Sequence, residues 1–131
     1  GYSRGGIFAT SIAQNMGLTH IKAVACLATP LKGSPYAKYS PKRAKEMIPG
    51  HPILEDILAK PIHTHSFYMA GEKDKIVPWE NAIWTKKNDL VRNYVLPNAG
   101  HLCFIRDERA FKLMQEFFDE KINHSNSSQN S

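Results

Sequence analysis

Three short stretches hold residue types that could combine nucleophilic and acid–base chemistry. The first six residues read GYSRGG, which puts Gly1, Ser3 and Gly5 at G-x-S-x-G spacing just ahead of a helix-patterned segment. Such a serine sits on a strained strand-to-helix turn. Small neighbours let the turn pack tightly, and the free N–H groups of the following helix favour developing negative charge. On the residues alone, the stretch also reads as a Gly/Ser turn with Ser3 as helix cap. The second stretch is Gly71-Glu72-Lys73-Asp74-Lys75-Ile76-Val77-Pro78, which follows an apolar run. An aspartate there could hold a histidine in one tautomer and stabilise its charged form. Ile76-Val77-Pro78 tuck the far side of the loop into the core, which favours Asp74 over Glu72. The third is Pro97-Asn98-Ala99-Gly100-His101, which follows the strand-patterned stretch Val91 to Leu96. Gly100 is expected to permit an unusual backbone angle, and His101 would be a general base.

The remaining reactive residues point elsewhere. His63 and His65 could share one strand face and chelate a metal, but no third ligand is evident and the two read as a surface pair. His20, His51 and His124 fall in loop or tail positions. Of the two cysteines, Cys26 reads as a buried strand residue and Cys103 follows His101; neither has an activating base of its own. No metal or organic cofactor is expected. Lys32, Lys38, Lys42, Arg43 and Lys45, with Tyr36 and Tyr39, could meet phosphates and stacked bases. They read instead as a solvated face, so no nucleic-acid partner is expected. Asn123-His-Ser and Asn126-Ser-Ser fit the glycosylation pattern, which a polar tail generates easily.

The elements that must position these residues alternate. Residues 7–17 have helical spacing and end at Gly17. Ala23 to Thr29 (AVACLAT) is an apolar run closed by Pro30, a strand buried on both faces. Residues 30–61 contain six prolines and much of the basic charge, too long for an ordinary connection. Short helices are expected there, around 41–48 and at 52–59. His65 to Ala70 and Val91 to Leu96 are two further strands. Residues 79–89 are expected to be helical, Ala110 to Ile122 is an amphipathic helix, and 123–131 (NHSNSSQNS) reads as a disordered tail. This alternation indicates an α/β architecture with a parallel sheet.

Composition agrees with a single domain: 131 residues, 42% of them apolar, with a formal charge of +5. No run approaches the roughly 20 apolar residues of a membrane helix. No targeting-signal pattern is visible in these residues, and the compartment is left open.

The order Ser3, Asp74, His101 resembles that of the α/β-hydrolase superfamily. GYSRGG is similar to its nucleophile elbow. AVACLATPLKGSP resembles the segment that follows in bacterial lipases and esterases, where Thr-Pro-x-x-Gly-Ser-Pro is common. GEKDKIVPW resembles the acid loop, and AGHLCFI the histidine loop. The resemblance covers residues 1–122. It implies a partial α/β-hydrolase fold whose strands correspond to the sixth, seventh and eighth of the family's sheet, with 31–61 as a cap or lid. Arg4 stands where many lipases have Met, Gln or Leu; its backbone N–H would serve the oxyanion hole.

By the same resemblance, the family's first strands and a second oxyanion donor would lie outside this sequence, which would correspond to the carboxyl-terminal part of the domain. The expectations are an open sheet edge prone to self-association, low activity of the chain alone, and marginal stability. The implied function is hydrolysis of small-molecule or lipid carboxylic esters by Ser-His-Asp acyl transfer. The alternatives are a non-catalytic remnant or partner-binding module, and a serine peptidase of the same fold.

Overall fold

The structure is a computed structural model and describes residues 1–39 and 42–129, with side-chain surroundings for 1–39 and 45–123. Helix α1 spans Gly5–Asn15, strand β1 Ala23–Leu27, helix α2 Pro52–Ala59, strand β2 His65–Gly71, strand β3 Val91–Leu96 and helix α3 Glu108–Gln129. The strands form one parallel sheet in the order β1-β2-β3. Ala23 to Leu27 face His65 to Met69, and Ser66 to Gly71 face Val91 to Leu96. This is the α/β architecture the sequence pattern implied.

The side of β1 away from β2 is not bare. Tyr2 forms a parallel bridge with Leu27. The Gly1 nitrogen donates to the Ala25 carbonyl, and the Leu27 and Ser3 amides donate to the Gly1 and Leu27 carbonyls. The chain therefore runs along β1 for two residues before turning into α1.

Each sheet face is covered, because successive strand side chains point to opposite sides. Cys26 and Tyr68 face a buried cluster with Ile7, Ala13, Leu54 and Ile57 of α1 and α2. Ala25, Phe67 and Met69 face another with Leu96, Phe104, Ala110 and Phe117, the last two on α3. The 31–61 segment divides along the same logic. Helix α2 lies in the core through Leu54 and Ile57, with Pro52 at its first position and His51 capping it by accepting from the Ile53 amide. Among the described residues, the stretch before it makes tight 3-10 turns, at Ala37–Tyr39 and Lys42–Met47. The helix expected around 41–48 is thus a 3-10 segment, and its first residue lies outside the described residues.

Two expectations are corrected. Residues 79–89 are not a helix; a single 3-10 turn covers Trp79–Asn81. Asn93 of β3 accepts from the Trp84 amide and donates to the Trp84 carbonyl, so the sheet takes the backbone groups a helix would need. Helix α3 does not stop at Ile122 but runs to Gln129, while 130–131 lie outside the described residues. Once a helix is nucleated, each added residue gains a hydrogen bond, so a polar stretch can extend it.

Candidate active site

Ser3 sits between β1's neighbouring segment and the start of α1 with φ of 51°, a left-handed conformation costly for a residue with a Cβ. Close packing holds it there. A Cβ on Gly1 would come within 2.5 Å of the Gly5 carbonyl oxygen, and one on Gly6 within 1.7 Å of Thr29 Oγ1. Gly5, the second glycine of the motif, would meet nothing within 4 Å among the described residues. The close approach of α1 to the segment after β1 therefore belongs to Gly6, one residue beyond the pattern.

Asp74 lies in the loop after β2. Its Oδ1 accepts from the amides of Ile76 and Val77, at 2.9 and 2.8 Å, which fixes the carboxylate. Its Oδ2 is 2.7 Å from His101 Nδ1. The Asp74 side chain is fully buried and that of His101 is 10% exposed. A carboxylate only accepts, so Nδ1 carries the proton; Nε2 of the neutral ring is then the acceptor. Nε2 is 3.1 Å from Ser3 Oγ, whose hydroxyl can donate to it. The structure thus brings together three residues separated by 98 and 27 positions.

Glu72 does not face the imidazole: its Oε1 accepts from the Asn98 amide and ties the two loops together. Gly100 does not use a glycine's freedom either, with φ of −93° and ψ of −179°. The left-handed residue of that loop is Asn98, at φ 59°. The glycine that matters is Gly71, where a Cβ would come within 2.4 Å of the Ala99 carbonyl oxygen.

The Arg4 amide donates to no backbone carbonyl among the described residues, whereas those of Gly5, Gly6 and Ile7 donate to Tyr2, Ser3 and Arg4. It stands beside Ser3 at the N-terminus of α1. The Arg4 side chain turns aside to Glu46, 2.9 Å away. Beside Ser3 lies a cavity of about 60 Å³, lined by Ser34, Tyr36, Ala37, Met47, Ile76 and Val77. Ser34 Oγ donates to the Ile76 carbonyl and Asn81 Nδ2 to that of Gly33, pinning 33–34 across the acid loop. His63 is exposed and His65 opens β2; neither approaches this constellation. Sequence reading passed over Tyr2, whose hydroxyl donates to the His101 carbonyl 99 residues away, a contact with no local signature.

No protein-family model matches the chain, and no curated protein does. Solved structures do. A monoacylglycerol lipase from Paleococcus ferrophilus superposes with TM-score 0.66 at 17% identity, over 95% of this chain and 67% of that one. A meta-cleavage product hydrolase from Pseudomonas fluorescens gives 0.64 at 17%, over 92% of this chain and 63% of that one. A thermophilic esterase from Thermogutta terrifontis gives 0.62 at 17%, again over 92% and 63%. The chain thus spans about two thirds of each. Together with the parallel sheet, these likenesses define the class: the fold is part of the α/β-hydrolase fold.

Proposed function

We propose that this protein is a serine hydrolase of carboxylic esters, with Ser3 as nucleophile, His101 as general base and acid, and Asp74 as the residue that orients His101. Ser3 Oγ attacks the ester carbonyl as His101 Nε2 takes its proton. The Arg4 amide stabilises the oxyanion. His101 then protonates the departing alcohol and activates the water that releases the acid. The observation that carries this reading is the continuous line from buried carboxylate to imidazole to a serine hydroxyl on a strained turn. The apolar part of the cavity beside Ser3 suits the hydrocarbon part of an ester, and the lipase and esterase among the similar structures favour that substrate class.

The test is labelling of the full chain by a fluorophosphonate, which phosphonylates an activated serine hydroxyl. Ser3→Ala should abolish labelling and His101→Ala nearly so. Asp74→Asn should slow ester turnover on the order of 10⁴-fold, as loss of the correct tautomer does elsewhere. Labelling that survives both Ser3→Ala and His101→Ala ends the assignment.

A further inference from the structure

We propose that Tyr2 is the positioning residue of His101, so that the segment bearing the nucleophile also bears the clamp on its base; this rests on the hydrolase reading above. A single bond from Nδ1 to Asp74 leaves an imidazole free to pivot about that bond, so its backbone must also be held. Residues 98 and 99 are tied to the acid loop: the Lys73 amide donates to the Ala99 carbonyl at 2.9 Å, and Glu72 accepts from the Asn98 amide. At His101 itself the hold comes from the other side of the site. The Tyr2 hydroxyl donates to the His101 carbonyl at 2.8 Å. The two rings also lie against each other, with centroids 5.3 Å apart and planes inclined at 38°.

Tyr2 can act as a clamp because it is itself fixed. It bridges Leu27 of β1, and the next amide, that of Ser3, donates to the Leu27 carbonyl at 2.7 Å. Its ring packs against the cluster under α3. Burial, and then the negative charge of Asp74, hold its phenol above the ordinary value, so it remains a hydrogen-bond donor at neutral pH. Tyr2 is peptide-bonded to Ser3. The residue next to Ser3 therefore holds the backbone of His101, whose Nε2 lies 3.1 Å from Ser3 Oγ.

The experiment compares Tyr2→Phe, which keeps the ring and removes the hydroxyl, with the unaltered full chain. For p-nitrophenyl butyrate, kcat should fall about fivefold, the equivalent of one ordinary hydrogen bond, with KM constant within about twofold. A fall in KM and kcat together, or no fall in kcat, overturns the proposal. A second readout needs no turnover. The ring-nitrogen NMR signals of His101 should broaden or move in Tyr2→Phe, and the Tyr2 hydroxyl proton of the unaltered chain should resist exchange with solvent. Ring signals unchanged by the substitution, or a freely exchanging hydroxyl, overturn it as well. If Ser3 of the unaltered chain takes no fluorophosphonate, the hydrolase reading falls, and the clamp is decided on these NMR signals alone.

Discussion

Beneath α1 the sheet presents Cys26 and Tyr68, and their polar atoms are used. The Tyr68 hydroxyl meets Thr10 Oγ1 at 2.9 Å, and Thr10 Oγ1 donates to the Gly6 carbonyl. Gln14 donates to the carbonyls of Ile57 and Lys60, stitching α1 to α2. Beneath α3 the sheet presents Ala25, Phe67 and Met69, and the buried contacts are apolar, with Phe67 stacked on Phe117 at 5.1 Å; the exposed Arg92–Glu120 pair adds a polar link from β3 to α3. The difference follows from what each helix must do. Helix α1 begins at Gly5, two residues after Ser3, so a slide of the helix would displace the Ser3 hydroxyl from His101. Directional hydrogen bonds and the close approach at Gly6 fix its axial position. Helix α3 carries none of Ser3, Asp74 and His101, and its buried contacts with the sheet are dispersion contacts between apolar side chains.

The contrast can be broken in order of expected effect. Phe117→Ala should cost about 3–5 kcal/mol of stability in urea unfolding, because the ring is buried. The rate per folded molecule should change little, and a large rate loss would mean that α3 also positions the site. Gly6→Ala should cost about 1–3 kcal/mol, since the new methyl must displace Thr29, and should slow fluorophosphonate labelling as well. Gly5→Ala, with open space around it, should instead gain up to about 1 kcal/mol by helix propensity. If the two glycines respond alike, the close approach has been misplaced. Tyr68→Phe should cost about 1 kcal/mol in thermal unfolding, the net value of one buried hydrogen bond, because Thr10 keeps the Gly6 carbonyl as partner.

The smallest effect is electrostatic and lies on the α3 side. Arg92 forms a two-pronged pair with Glu120, whose carboxyl it holds down to about 2. A carboxyl depressed in the folded state adds stability above its unfolded value, and that contribution disappears as pH falls through the folded one. The difference in melting temperature between the unaltered chain and Arg92→Ala should therefore be present at neutral pH and close as pH approaches about 2. It should be small throughout, because both groups are exposed. A difference that does not vary with pH would instead reflect Arg92 resting on the Phe117 ring.

Much was legible in the residues. AVACLAT and HSFYMA were legible as strands because mostly apolar, β-favouring runs ended by proline or glycine have few other ways to pack, and VRNYVL because Val91, Tyr94 and Val95 favour strands ahead of Pro97. The loops of Asp74 and His101 were legible because they follow two of those runs, and loops after parallel strands gather at one edge of the sheet; the Ser3 turn was legible from its G-x-S-x-G spacing. Residues 79–89 were not legible as an irregular segment, because their fate depends on Asn93, which accepts and donates at Trp84 from a strand formed later in the chain.

Local pattern, a property of neighbours along the chain, was sufficient for the strands, the α/β class and the types of residue able to do chemistry. Packing had to be seen before Gly6 could be separated from Gly5, Asn98 from Gly100, or Tyr2 from an ordinary partly buried tyrosine. Each of those distinctions depends on an atom from a distant part of the chain: Thr29 against Gly6, Glu72 on the Asn98 amide, and the His101 carbonyl on the Tyr2 hydroxyl. Such contacts leave no periodicity in the sequence, because they arise only when the sheet brings separate loops to the same edge.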